Sequence, residues 1–174
     1  MAHHTDQSDI EKLRDLIKGI RFTMMTTVDE DGSLRSRPMA TQEAEFDGTL
    51  WFFTDANSPK VGEVERDHRV NLSYAEPDKN RYVSISGTAR MVRDPAKAKE
   101  LWNPAFKAWF PKGLDDPQLV LLRVQVEKAE YWEYASSKMV QLFGFLKAIA
   151  TGEKADDLGE NEKLEIAGQP ARGQ

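Results

Sequence analysis

The loop between the third predicted strand and the helix that follows it concentrates groups that bind anions. It reads Thr-Asp-Ala-Asn-Ser-Pro-Lys from Thr54 to Lys60, so two hydroxyls and an amine lie within seven positions. Serine followed by proline often starts a helix, because proline suits the first helical position. If Ser58 caps this helix, the helix N-terminus, the two hydroxyls and the lysine charge together suit a phosphate. The alternative is an ordinary helix cap without a ligand.

Two arginines in the second predicted strand point to the same chemistry. Arg35 and Arg37 are two positions apart, and side chains alternate along a strand, so both lie on one face. Pro38 follows them, which favours an edge strand or a bulge, because proline cannot donate a hydrogen bond to the ladder. If this strand neighbours the third strand, both arginines and Lys60 could converge on one anion. The alternative is a pair of solvated side chains.

Periodicity and turn residues predict a chain dominated by strands. Alternating apolar residues predict strands at 20–28, 33–45, 49–54, 69–75, 81–92 and 119–133. Helical spacing and caps predict helices at 8–18, 60–66, 94–102 and 137–151, with broken helix and loop at 103–114. Turn residues at 29–32 and 47–48 predict hairpins. This order favours a mainly β fold with a few helices, an antiparallel barrel.

Length and composition limit the possible classes of protein. The 174 residues predict a single domain over 1–174, with a core at about 8–150 and a mobile acidic tail at about 152–174. The chain has no cysteine, which excludes disulfides and thiolate metal sites and fits a reducing cytoplasm. The net charge is −5 and lysines and arginines are scattered among acids, so nucleic acid is not an expected partner.

Membrane and metal roles are also not expected. No apolar run approaches the roughly 20 residues of a membrane span, and the polar N-terminus is not a signal peptide. His3 and His4 have no partners for a metal site, so they are expected to be solvated.

Several motifs in a fixed order resemble the flavin-binding split-barrel superfamily that includes the pyridoxamine 5′-phosphate oxidases. The closest likeness is to its bacterial general stress protein branch. The motifs are RSRPM at 35–39, DGTLWFFTDANSPKVGEV at 47–64, YVSISGTARMVRDP at 82–95, ELWNPAFKAWFP at 100–111, DDPQLVLLRVQVEKAEYW at 115–132 and GEN at 159–161. The resemblance covers about residues 13–164. It implies a six-stranded antiparallel split β-barrel that forms a homodimer, with two flavin mononucleotide (FMN) sites at the subunit interface.

The resemblance also implies which residues hold the cofactor. In the oxidases the loop after the third strand reads aromatic-Thr-x-x-x-Ser-Arg-Lys and holds the phosphate. The matching residues here are Phe53, Thr54, Ser58 and Lys60, with Pro59 in place of the arginine. The strand segment with a phosphate-binding arginine is similar to Arg35-Ser36-Arg37-Pro38-Met39, in which either arginine could be the counterpart. Trp132 stands where the family has an aromatic residue near the flavin. Flavin adenine dinucleotide (FAD) is a second possible cofactor.

The residues expected of a vitamin B6 oxidase are incomplete. The oxidases grip their substrate with an Arg-x-His element near the C-terminus, and no such element follows Trp132. Three functions stay open: a flavin-dependent oxidoreductase with a nicotinamide donor, a non-catalytic flavin binder or carrier, and an interaction dimer with a vestigial pocket. The catalytic residues and the substrate are unknown, and no acid/base pair stands out. The cofactor itself accepts hydride or electrons, so an oxidoreductase does not need such a pair.

The aromatic segment from Leu101 to Pro111 has two interpretations. Its tryptophans and phenylalanines could stack over a flavin ring as a lid. They could equally form core or dimer interface, the more common use of large aromatic side chains.

Overall fold

The computed structural model of the chain describes residues 7–42, 46–134, 149 and 159–166. The strands are β1 (Phe22–Val28), β2 (Leu34–Ala40), β3 (Thr49–Asp55), β4 (Arg69–Glu76), β5 (Arg81–Val92), β6 (Leu119–Tyr134) and β7 (Gly159–Glu165). The helices are α1 (Gln7–Ile17), α2 (Pro59–Arg66) and α3 (Pro95–Leu101), with short 3₁₀ helices at Pro77–Lys79, Pro104–Ala108 and Gly113–Asp115. The predicted helix at 137–151 falls, except for Ile149, outside the described residues.

Six antiparallel strands curl into a half-barrel in the order β2-β1-β4-β5-β6-β3. The predicted split-barrel architecture is therefore confirmed. The strand β2 ends the path, as its proline suggested, and Pro38 lies opposite Met24 in a ladder of continuous register. The half-barrel brings β2 and α2 to the same region through β1, because β1 pairs with β2 and also contacts α2.

The long strand β6 organises the sheet. It pairs with β5 along one edge. Along its other edge it pairs first with β3, where Thr54 lies opposite Val120, and then with β7, where Trp132 lies opposite Asn161. A register shift in the β5–β6 ladder falls between Ser86 and Gly87.

The prediction of a mobile tail after residue 152 is wrong for the part that forms β7. Residues Gly159–Glu165 pair in register with the second half of β6, and Leu164 and Ile166 are buried. The segment is too acidic to read as a strand by itself. It becomes one because β6 continues beyond the end of β3 and offers an edge for pairing.

Two hydrophobic clusters lie on opposite faces of the sheet. The larger one fills the half-barrel and includes Leu13, Leu16 and Ile17 of α1. The smaller one lies on the outer face, where the aromatic segment packs against Phe53 and Leu121. Within the described ranges, no helix is long and apolar enough to cross a membrane.

Candidate functional site

The loop between β3 and α2 is held firmly at both of its ends. The side chain of Asp55 accepts a hydrogen bond from the Asn57 backbone at 2.7 Å, and its carbonyl accepts one from the Ser58 backbone at 3.0 Å. The backbone N–H of Ala56 donates to the Gln118 carbonyl at 2.8 Å, which fixes the loop to the start of β6. The groups that the loop carries are thereby held in place before any ligand arrives.

Three of the predicted site residues meet in this loop. The Thr54 and Ser58 hydroxyl oxygens are 3.1 Å apart, and the Lys60 ammonium donates to the Thr54 hydroxyl at 3.2 Å. We refer to Thr54, Ser58 and Lys60 as the hydroxyl–lysine cluster. Thr54 is buried and is the second-last residue of β3, so the cluster lies at the C-terminal end of that strand. The structure thus brings together three of the residues that the sequence singled out.

Ser58 occupies the N-cap position of α2, but its side chain does not act as the cap. Pro59 takes the first helical position as expected, yet the Ser58 hydroxyl accepts no cap hydrogen bond from the described backbone of α2. It turns to Thr54 instead. An ordinary cap would satisfy an N–H of the helix. The observed arrangement leaves the Ser58 hydroxyl directed at Thr54, where it can also contact a ligand.

The two arginines of β2 converge on one buried carboxylate. Arg37 Nη2 lies 2.6 Å from Glu63 Oε2, and Arg35 Nη1 lies 3.3 Å from Glu63 Oε1. Arg37 Nη1 also donates to the Thr27 hydroxyl at 2.5 Å. Glu63 is 2% exposed, whereas the Arg35 side chain is 54% exposed. Arg37 is thus an inner, fixed cation and Arg35 an outer one.

The hydroxyl–lysine cluster and the arginines form one cationic site. Burial lowers the pKa of Lys60, the Arg37 charge lowers it further, and the Glu63 carboxylate opposes the shift. Arg35 acts in the same direction as Arg37 but less strongly. Three cations and one buried carboxylate meet here, while Asp29 lies 3.9 Å from Arg35 and Asp55 also acts on Lys60. These cations and the two hydroxyls can hold a dianion such as a phosphate.

Other predicted site residues do not join this cluster through their side chains. Pro38 lies on the face of β2 opposite to Arg35 and Arg37, because side chains alternate along a strand. Met39 is buried in the larger hydrophobic cluster. Phe53 faces the outer surface and packs edge-on against Trp102 with ring centroids 5.5 Å apart.

Trp132 lies far from the cluster in the same chain. Thr54 is opposite Val120 on β6, and Trp132 comes twelve residues later on the same strand. At the usual rise of a strand this is about 40 Å. Trp132 and the β6 residue that faces Thr54 therefore lie toward opposite ends of this strand.

The aromatic segment divides into two parts. Trp102, Phe106 and Phe110 pack around Phe53 in the smaller hydrophobic cluster, which supports the core interpretation for these three. Trp109 is 58% exposed and touches Phe22 edge-on, with ring centroids 6.4 Å apart.

Within the described part of the chain, the histidine side chain makes a structural contact. His68 places its Nδ1 atom 2.7 Å from the Val64 carbonyl, as a structural side chain would. Among the residues described, no group of three or more His, Asp or Glu side chains could hold a metal ion. His3 and His4 lie outside the described residues.

Glu63 and Thr27 are site residues that the sequence did not reveal. A signal was available for Glu63, because it lies between Val61 and Val64 on the apolar side of α2 and three residues after Lys60. An acid on a buried helix face must find partners. Nothing in the sequence singled out Thr27, which contacts Arg37 and Glu63 only because β1 lies between β2 and α2.

The fold and the site together define a class of protein: a small antiparallel half-barrel with a cluster of hydroxyls and cations at the end of β3. The family model described as "Pyridoxamine 5'-phosphate oxidase like" matches residues 8–156. The chain therefore belongs to the pyridoxamine 5′-phosphate oxidase-like family, and its similarity to the general stress protein branch of that family is confirmed.

Individual relatives agree with this assignment. Protein bli-3 of Neurospora crassa is 30% identical over 156 residues, covering 84% of this chain and 75% of that protein. The crystal structure of the general stress FMN/FAD binding protein from Xanthomonas citri is 34% identical, covers 75% of this chain and 92% of that one, and superposes with a TM-score of 0.64. A putative general stress family protein from Xanthomonas campestris pv. campestris is also 34% identical, covers 79% of this chain and 93% of that one, and has a TM-score of 0.65.

Proposed function

We propose that this protein is a cytoplasmic homodimer that binds FMN, with the flavin phosphate in the pocket formed by the hydroxyl–lysine cluster and Arg37. The observation that carries the proposal is the convergence of Thr54, Ser58 and Lys60, with their hydroxyl and ammonium groups 3.1–3.2 Å apart. Membership of the family and the 34% identity to an FMN/FAD binding protein support a flavin as the ligand.

The donor set fits a phosphate dianion. Lys60 and Arg37 supply charge, and Thr54 and Ser58 supply hydroxyl donors. Each charge-assisted hydrogen bond contributes roughly 1.5–3 kcal/mol. Three or four such contacts, together with burial of part of the flavin ring, give micromolar affinity or better after the cost of association. Arg37 is the better candidate for the phosphate-binding arginine, because it is more buried than Arg35 and acts more strongly on Lys60.

An oxidoreductase is the activity that we propose, with a non-catalytic flavin carrier as the alternative. When bound, the flavin ring accepts hydride or electrons, so the chain need only bind, orient and shield it. The test is a titration with FMN, followed by visible absorption and fluorescence, and then anaerobic addition of NADPH. Bleaching of the flavin band supports an oxidoreductase. Binding without bleaching supports the carrier, and the absence of binding contradicts both.

The dimer would resolve the separation between Trp132 and Lys60. Because about 40 Å of strand separates them in one chain, a flavin held by both would take Lys60 from one subunit and Trp132 from the other. Phe22, Met24 and Leu34 also expose apolar side chains on the outer surface of β1 and β2, where an unpaired subunit would show polar residues.

Mixed dimers test this shared site. We expect Lys60→Ala and Trp132→Ala homodimers each to bind FMN weakly. In a heterodimer of the two variants, one site carries both changes and the other carries neither. The heterodimer should therefore bind one FMN per dimer with wild-type affinity, measured by fluorescence titration of a doubly tagged preparation. Two weak sites per heterodimer would show that each subunit builds its site alone.

Lys60→Ala should weaken FMN binding by about 10- to 150-fold, because it removes one charge-assisted hydrogen bond of roughly 1.5–3 kcal/mol. Lys99→Ala is the matched control, since Lys99 is exposed on α3. The melting temperature of Lys60→Ala should not fall. Burial lowers the pKa of Lys60, so the charged amine does not stabilise the folded state. Unchanged FMN affinity in Lys60→Ala would contradict the assignment of Lys60 to the phosphate.

The pH dependence should carry the signature of Lys60. Its pKa is lowered from 10.5 by burial and by Arg37, so FMN affinity should fall as pH rises through this lowered pKa. The unliganded protein should change in the opposite direction: the unfolded chain binds more protons between the lowered pKa and 10.5, so its stability rises with pH there. Binding titrations and urea melts from pH 7 to 10.5 measure both effects, and Lys60→Ala should remove both.

A further inference from the structure

Glu63 is a buried carboxylate that the proposed chemistry does not use directly. It lies on α2 between Val61 and Val64, and only 2% of its surface is exposed. A carboxylate in such surroundings is retained only where charged or hydrogen-bonding partners compensate for the loss of water.

Its contacts form a closed arrangement around the Arg37 guanidinium. Glu63 Oε2 accepts from Arg37 Nη2 at 2.6 Å and from the Thr27 hydroxyl at 2.5 Å. The Thr27 oxygen in turn accepts from Arg37 Nη1 at 2.5 Å. The guanidinium is therefore fixed through both terminal nitrogens, by residues of two different elements. A planar group held at two points has one orientation.

The helix α2 also carries Lys60, whose charge interacts with that of Arg37. Lys60 precedes Glu63 by three residues, so both project from one side of α2. The Glu63 carboxylate also offsets one of the three positive charges of Arg35, Arg37 and Lys60. α2 thus supplies both a ligand of the phosphate pocket and the group that orients a second ligand.

We propose that Glu63 is the positioning residue of the phosphate pocket: through its contacts with Arg37 and Thr27 it holds the Arg37 guanidinium beside Lys60, where the flavin phosphate binds. This inference rests on the proposed function. Glu63 itself does not touch the ligand, since a carboxylate would repel the phosphate.

The test compares FMN with riboflavin, which lacks the phosphate. Both dissociation constants are measured for the wild type, Glu63→Gln and the control Glu65→Gln, the same change at an exposed position of α2. Loss of a group that orients a ligand costs roughly 10- to 100-fold at metal sites. We expect Glu63→Gln to weaken FMN binding about tenfold by this analogy, with riboflavin binding unchanged. Glu65→Gln should leave both constants unchanged.

The other outcomes separate the two proposals. A wild type that binds FMN no better than riboflavin overturns the phosphate pocket and with it the role of Glu63. A wild type that prefers FMN, together with a Glu63→Gln variant that keeps this preference, overturns the role of Glu63 alone. Tighter FMN binding by Glu63→Gln overturns it as well, because Glu63 would then act only as a repelling charge.

A second variant covers the case in which Glu63→Gln does not fold. Thr27→Val keeps the volume of the side chain and every charge, but it removes the hydroxyl that links Arg37 to Glu63. We expect it to reduce the preference for FMN over riboflavin in the same direction and by a smaller factor. An unchanged preference in Thr27→Val overturns the proposed positioning arrangement.

Discussion

Arg37→Ala should lower the free energy of unfolding by about 3–5 kcal/mol, because it leaves the Glu63 carboxylate buried without its nearest cation. Arg37 contacts Glu63 at 2.6 Å, and its side chain is 16% exposed against 2% for Glu63. Arg35 remains at 3.3 Å, but it is more than half exposed and does not replace a buried partner. Urea or thermal unfolding of both proteins measures the loss.

Two further variants separate the stability effect from the binding effect. In Arg37→Ala/Glu63→Gln the unpaired charge is gone, so much of the lost stability should return. FMN affinity should not return, because the phosphate ligand is still missing. Arg35→Ala should cost only about 0–1 kcal/mol, as expected for an exposed ion pair. An Arg37→Ala protein as stable as the wild type would show that Glu63 does not depend on Arg37.

Gly87→Ala should destabilise the barrel by about 3 kcal/mol, the upper end of the cost of forcing a methyl group into packed structure. A Cβ atom on Gly87 would lie 2.2 Å from the Gln125 carbonyl oxygen and 3.1 Å from its carbon. Both are backbone atoms of β6, a strand that pairs on both edges. Neither can move aside as a flexible side chain would, so the β5–β6 ladder must open.

Gly62→Ala is the matched control for that substitution. Gly62 lies inside α2, and a Cβ there meets nothing within 4 Å in the described part of the chain. Alanine is the better helix former, so Gly62→Ala should raise stability by about 0.5–1 kcal/mol. A lower free energy of unfolding for Gly87→Ala and a higher one for Gly62→Ala, measured in the same urea titration, support the close approach of β5 and β6 at Gly87. A neutral Gly87→Ala would contradict the close approach of β5 and β6.

The hydroxyl–lysine cluster could be predicted from the sequence because it is local. Thr54, Ser58 and Lys60 fall within seven positions, and Pro59 fixes the start of the helix. Contacts within such a short loop follow from turn and helix chemistry. The direction of the Ser58 hydroxyl could not be predicted, because a serine at this position suits a helix cap and a phosphate site equally well.

The contacts of Arg37 could not be predicted in the same way. They depend on β1 pairing with β2 and lying against α2, and Arg37 is 26 residues from Glu63. The strand β7 was missed for a related reason. Its residues are mostly charged, with Leu164 and Ile166 as the buried pair, and the strand exists because the edge of β6 extends beyond β3. Both the Arg37–Glu63 contact and the formation of β7 depend on segments that are distant in the sequence.

The phosphorus NMR signal of bound FMN tests the central claim most directly, because it reports on the phosphate itself. A free phosphate monoester takes up a proton near pH 6, and its resonance shifts as it does so. In a pocket formed by Lys60, Arg37 and two hydroxyls the dianion is favoured, so the resonance of bound FMN should stay constant from about pH 5.5 to 8. A resonance that titrates near pH 6 as in free FMN would place the phosphate in solvent and contradict the account.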